Sequence, residues 1–182
     1  MKKLLLSTTL FFASIGMYAQ VYTSKTSDVS FESKTPVEDI YAQTKTAKAA
    51  IVVKTKAVKV KIKMISFKFE KPLMEEHFNE KYVETEKYPD ASFDGVIQED
   101  VDFTKDGVYQ VTVKGKLTMH GVTQDRTLSG TMTIKGGVID LKTEFQVKLV
   151  DHKIKVPSVV TANIAETIDV KAHFVCEEYK KK

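Results

Sequence analysis

Residues 67–95 read FKFEKPLMEEHFNEKYVETEKYPDASFDG, and the order of the parts in this stretch narrows the fold. Phe67 and Phe69 alternate with lysine and glutamate as the end of a strand would, and Pro72 then suits the first turn of a helix. Glu75 and Glu76 complement that helix's positive end. Met74 and Phe78 stand four apart, as do Leu73 and His77, so a helix over 72–82 carries an apolar stripe about two turns long. Tyr88 and Pro89 mark a turn, after which Ala91 and Phe93 start another strand. Phe67, Phe69, Leu73, Met74, Phe78, Tyr82, Tyr88 and Phe93 therefore surround one short helix between two strands, which predicts a cover over the mouth of an apolar cavity.

Outward from this segment the dominant period is two. Val58, Val60, Ile62 and Met64 alternate with Lys59, Lys61 and Lys63, giving one apolar and one charged face. Val111, Val113, Leu117 and Met119 repeat the pattern, as do Leu128, Met132 and Ile134, then Leu141, Phe145, Val147 and Leu149. Ile168, Val170, Ala172, Phe174 and Cys176 close the series. Such patterning predicts antiparallel sheet with one wet and one dry face. Strands are expected near 22–33, 37–45, 48–55, 57–69, 91–98, 108–119, 125–135, 138–149 and 166–177. Asp106 with Gly107, and Gly136 with Gly137, are read as supplying the positive backbone angles of tight hairpins, and His120 with Gly121 as another turn. The adjacent apolar pair Met64 and Ile65 breaks the phase and is read as a bulge. A sheet this large with one apolar face must close or stack, and closure also removes edges, so an all-β antiparallel barrel is preferred to a sandwich. The loop 150–165, VDHKIKVPSVVTANIA, is longer than a hairpin needs. Its Val159, Val160, Ile164 and Ala165 predict a packed covering segment containing a short helix.

The chain's first nineteen residues read as a secretory signal peptide. Lys2 and Lys3 precede an apolar run over 4–15, and Ser14, Gly16 and Ala19 are small, with cleavage expected after Ala19 or Gly16. The run is too short to span a bilayer, so no transmembrane segment is expected after processing. Residues 20–182 then form a single domain. Without Lys2 and Lys3, 26 basic residues face 24 acidic ones, and Arg126 is the one arginine. Nucleic-acid binders cluster their basic residues, often as arginine, whereas these lysines are scattered, so no nucleic-acid partner is expected. Cys176 is the one cysteine and lies in an apolar strand, which predicts a small packed hydrophobe and no intrachain disulfide.

No reaction centre emerges. His77, His120, His152 and His173 show none of the short spacings of metal sites, no GxSxG elbow is present, and Cys176 has no basic neighbour in sequence. Acidic neighbours such as Glu75/Glu76 and Glu99/Asp100 read as solvated. No catalytic residue, metal or cofactor is expected, and the chain is read as non-enzymatic. The predicted ligand-binding wall consists of Phe67, Phe69, Leu73, Met74, Phe78 and Phe93 around the helix. It continues with Val113, Leu117, Met119, Leu128, Phe145 and Val147 along the strands. A structural or stress-related interaction barrel filled by its own side chains is the alternative. An outer-membrane barrel would need the apolar stripe to face outward.

Three of these elements, in order, resemble the YceI-like family: LMEEHFNEKY with His77 and Phe78, KYPDASFDG with Tyr88, Pro89 and Phe93, and VKGKLTMHGVTQDRTLSG with the turn from Leu117 through Thr123. Asp151, Ile154 and Pro157 look like that family's later loop, and the resemblance spans roughly 22–176. It implies an extended lipocalin-like antiparallel β-barrel with a short amphipathic helix capping one end. It further implies export to the periplasm and an interior that holds a polyisoprenoid or similar amphiphile. The chain departs from the family where a histidine often follows the first strand's phenylalanine; Phe31 is followed here by Glu32, Ser33 and Lys34. With a single arginine, a neutral head such as that of a quinone-like lipid fits at least as well as a pyrophosphate. The oligomeric state is left open, a homodimer included.

Overall fold

The computed structural model describes residues 20–157 and 162–180. The predicted signal segment with both cleavage positions, Val159, Val160 and the last two lysines lie outside the described residues. The strands are β1 (Val21–Lys34), β2 (Asp39–Thr44), β3 (Lys48–Val52), β4 (Ala57–Lys63), β5 (Lys68–Phe69), β6 (Asp90–Ile97), β7 (Gly107–Met119), β8 (Val122–Lys135), β9 (Val138–Lys148) and β10 (Thr167–Glu178), with one helix, α1 (Pro72–His77). Eight of them close into an antiparallel barrel in the order β1, β3, β4, β6, β7, β8, β9, β10 and back to β1. The remaining two, β2 and then β5, extend from the C-terminal half of β1 at the open end.

Two hairpins are as short as a hairpin can be. Met119 pairs with Val122 and Lys135 with Val138, which leaves two-residue loops. His120 and Gly121 adopt φ of 50° and 70°, and Gly136 and Gly137 adopt 56° and 77°, the left-handed pair that such loops require. Asp106–Gly107 differs from expectation. Gly107 is not in the left-handed region but begins β7, and the chain turns earlier, around Asp102, whose carboxylate accepts from Thr104 N and Oγ1.

The predicted strand over 57–69 is also corrected. A 3-10 turn over Met64–Ser66 ends β4, and β5 pairs with β2 instead of continuing the wall. Ser66 stabilises this turn by donating to the Lys63 carbonyl, and it also bonds Thr44 Oγ1. Met64 turns inward while Ile65 goes to solvent, so the apolar pair marks a corner and not a bulge.

Alternation sorts the wall as the pattern demands. Val58, Val60 and Ile62 face inward, while Lys59 meets Asp94 and Lys61 meets Asp90 on the outer face, both at 2.8 Å. Lys116 and Asp125 do the same across β7 and β8. Exposed pairs of this kind contribute only ~0–1 kcal/mol each, but they fix which face is wet. The polarity is the reverse of a membrane-spanning barrel, whose outer band is apolar. Among the described residues, no helix is long and apolar enough to cross a membrane.

The interior is divided. At the end holding the Gly136–Gly137 hairpin, Ile51, Ile97, Met132, Ile134, Ile139 and Cys176 are fully buried and fill the barrel, joined by Tyr22, Val101 and Phe103. Burial, with Asp140 nearby, pushes the Cys176 thiol up to about 11, so it behaves as a packed hydrophobe. Toward the other end the same wall encloses empty space.

The β8–β9 ladder is incomplete. β8 and β9 pair only from Gly130↔Thr143 to Lys135↔Val138, so residues 122–129 and 144–148, each still paired on its other side, do not pair with one another toward the open end. Side chains bridge the gap. Thr143 Oγ1 donates to the Ser129 carbonyl at 2.7 Å, the Arg126 guanidinium donates to the Gln146 carbonyl, and Gln124 Nε2 donates to the Asp151 carbonyl at 2.8 Å.

Candidate functional site: an apolar lumen under a helical cover

The open half of the barrel contains a cavity of about 530 Å³, within the ~300–1,000 Å³ typical of small-molecule sites. Below it lies an inner chamber of about 90 Å³. Val29, Ile62, Ala91, Leu117, Phe145 and Val170 belong to the walls of both, so the two adjoin at that level of the barrel lumen. From Ile168 to Phe174 the wall of β10 runs six residues, about 20 Å of strand, or roughly 15 Å along the barrel axis once strand tilt is allowed for.

All twelve residues of the predicted wall line this lumen. Phe67, Phe69, Leu73, Met74, Phe78, Met119 and Val147 surround the upper cavity. Phe93, Val113 and Leu128 line the inner chamber, and Leu117 and Phe145 line both. Sequence reasoning missed the contribution of β1: Val29, Phe31 and Ser33 alternate toward the cavity in the same period of two. It also missed Ile40, which reaches the cavity through the appended β2. Within the predicted covering segment, Leu149 through His152 form a 3-10 turn, and Ile154, Asn163 and Ile164 line the upper cavity.

The cover is held by aromatic contacts. Phe78 lies 5.4 Å from Phe31, 5.9 Å from Phe67 and 5.1 Å from Phe69 between ring centroids, and Phe31 contacts Phe67 and Phe69 in turn. Each such pair is worth ~0.5–1.5 kcal/mol beyond its buried area. The predicted helix over 72–82 is present but not uniform. α1 passes at Phe78 into a wider π turn, Phe78–Tyr82, closed by the bond from Val83 N to the Phe78 carbonyl. Phe78, Tyr82 and Val83 all face the cavity across this turn. Leu73 is 60% exposed while lining the cavity, which places it at the rim.

Below the cover, a polar fastening ties three connections together. His120 Nδ1 donates to the His152 carbonyl at 2.9 Å, and Nε2 lies 2.8 Å from Glu84 Oε2. Each ring nitrogen therefore faces an oxygen acceptor, one a carbonyl and one a carboxylate. The hydrogen bond from His120 holds the Glu84 carboxyl below the ordinary carboxylate range, against a smaller opposing effect of desolvation. Tyr88 packs edge-on to the His120 ring at 4.4 Å. His152, fully buried, directs Nδ1 at the Met119 and Val122 carbonyls. The expectation that His120 helps set its turn is met, and its wider task is to anchor the segment after the helix. His77, four residues after Leu73 on the helix stripe, lines the cavity.

Among the described residues, polar groups at the mouth are few. Ser33, Glu38, Lys71, His77 and Asn163 reach the cavity, and Lys71 Nζ lies 2.7 Å from Glu38 Oε1. That bond holds the Glu38 carboxyl low and raises the Lys71 ammonium, so these two charges at the mouth neutralise one another.

The fold has close counterparts among solved structures. A polyisoprenoid binding domain from Saccharophagus degradans superposes with a TM-score of 0.74 at 15% identity, covering 87% of this chain and 98% of that one. BcnA from Burkholderia cenocepacia gives 0.68 at 19% identity, covering 82% and 95%. The YCEI protein of Campylobacter jejuni gives 0.56 at 18% identity over the full length of both chains. At these identities the likeness is one of fold. Comparison with curated protein sequences finds no match. The family model for the YceI-like domain matches residues 21–176, nearly the whole barrel, and the chain belongs to the YceI-like family.

Proposed function

We propose that this barrel, exported to the periplasm, binds a long-chain isoprenoid or related amphiphilic lipid and carries it without chemical change. The observation that carries the reading is the lumen: an apolar cavity of about 530 Å³, open beneath a cover of aromatic side chains and adjoining a deeper chamber. Hydrocarbon transferred there from water gains about 0.8 kcal/mol per buried CH₂, so a few isoprene units suffice for tight binding. The Saccharophagus degradans relative, described as a polyisoprenoid binding domain, supports the same class of ligand. The mouth favours an uncharged head, such as a quinone or alcohol. Lys71 is already neutralised by Glu38, and a pyrophosphate would have to break that pair to use it.

Native mass spectrometry of freshly purified protein, followed by organic extraction, tests the reading. A co-purified hydrophobic adduct is the expected result, and delipidated protein should rebind a fluorescent isoprenoid at one per chain. A folded, delipidated protein that binds neither isoprenoids nor fatty amphiphiles would remove the proposal.

A further inference from the structure

The wall of the lumen is not laddered along its whole length between β8 and β9. Where β8 and β9 separate, the last paired residues are Gly130 and Thr143, and both line the inner chamber together with Ser129, the first residue beyond the ladder. Gly130 marks the end of the close approach: a Cβ there would meet the Lys142 carbonyl at 2.5 Å. Beyond Leu128, which still lines the inner chamber, β8 loses its apolar inner face. Register with β7 places Arg126 opposite Gly115 and Gln124 opposite Leu117, so both side chains begin on the lumen side of the sheet. Neither side chain is used to fill the lumen. Each lies across the seam and donates to a backbone carbonyl on the far side, Gln146 for Arg126 and Asp151 for Gln124. A wall built only to enclose would continue its ladder here. This one substitutes long flexible side chains, whose bonds to single carbonyls exchange readily with water.

We propose that the β8–β9 seam is a second opening of the lumen, through which the hydrocarbon end of a long-chain lipid leaves the barrel, with Arg126 and Gln124 spanning it. The proposal rests on the lipid-binding reading and states where the far end of the ligand goes. The opposite end of the barrel is filled by Met132, Ile134 and Ile139, so a chain longer than the lumen cannot pass straight through. It must fold back, remain outside the mouth, or exit sideways at the level of Ser129 and Thr143. The aliphatic stem of Arg126 can lie along such a chain while its guanidinium stays at the surface.

The test is a staple. Extending the observed register places Thr127 opposite Gln146, both on the outer face, so Thr127→Cys with Gln146→Cys can be joined by a flexible bis-maleimide across the seam. Thr131→Cys with Lys142→Cys, a pair within the intact ladder, serves as the control, and buried Cys176 does not compete. Binding of geranylgeraniol and of the much longer solanesol is measured on delipidated protein before and after joining. The seam staple should weaken solanesol by about tenfold or more while leaving geranylgeraniol within about twofold, and the control staple should change neither. Solanesol binding unaffected by the seam staple would overturn the portal. So would a parent protein that binds geranylgeraniol but excludes solanesol, a result that leaves the lipid-binding reading standing. A parent that binds neither alcohol overturns both.

Discussion

Replacing Ala91 by phenylalanine places a ring where the upper cavity meets the inner chamber. Ala91 is buried, pairs with Ile62 across β4 and β6, and belongs to both walls. A ligand chain that enters the inner chamber must pass this level. If the new ring keeps out one isoprene unit, five carbons lose their burial, at most about 4 kcal/mol or roughly a thousandfold in Kd. Rearrangement of the chain within the upper cavity recovers part of that, so a loss of about tenfold or more is expected. Stability should move differently. The ring fills empty space and gains burial of ~1.5–3 kcal/mol, against ~1–3 kcal/mol if neighbours must shift, so the melting temperature should stay level or rise. Val170→Phe, which intrudes at the same level from β10, should reproduce the pattern. Titration of delipidated protein with fluorescent geranylgeraniol, paired with thermal melts, measures both quantities. Parent-like affinity in two folded variants would refute the idea that the ligand threads between the chambers.

Phe78→Asp should weaken lipid binding by about ten- to a hundredfold, since a carboxyl replaces a ring that touches Phe31, Phe67 and Phe69, and an unsatisfied polar group in such a place costs ~1–3 kcal/mol; Phe78→Leu should retain most of the affinity. Gly121→Ala should lower stability by ~1–3 kcal/mol in denaturant titrations, because φ is +70° and a Cβ would stand 2.6 Å from the Tyr88 ring. Glu84 has a folded-state pKa below its unfolded value of about 4.3, so its bond to His120 contributes stability above that pH and loses it as pH falls through the folded value. Glu84→Gln should therefore melt below the parent near neutrality, and the gap should close in acid; a gap independent of pH would count against the assignment. Cys176 should resist alkylation at pH 8 in the folded state and react readily in denaturant, consistent with its full burial and raised pKa.

The barrel was legible because each wall strand repeats its apolar side chains every second residue, and closure is the arrangement that buries all those faces at once. The wall of the lumen was legible for the same reason: Leu117, Phe145 and Val147 face inward by parity alone. Parity does not reveal how far a ladder extends, so Phe67 and Phe69 read as a continuation of Val58–Ile62 although a turn stabilised by Ser66 separates them. Gly107 illustrates a second limit, since glycine permits a left-handed backbone without requiring one. The seam left a faint trace: Gln124 and Arg126 occupy positions where the alternation calls for apolar residues. The fastening at His120 left almost none, because Glu84 and His152 lie 36 and 32 residues away and meet it only in the folded chain.

The division of the interior into a filled end and a hollow end has a consequence for how such a protein can change. Ile51, Ile97, Met132, Ile134 and Ile139 anchor the architecture at the filled end, away from the upper chamber. Exchanging Leu73, Met74 or Ile164 at the mouth for other apolar residues removes few contacts on which cohesion depends. Descendants of this chain are therefore free to reshape the rim with little loss of robustness, whereas drift at the filled end is penalised at once.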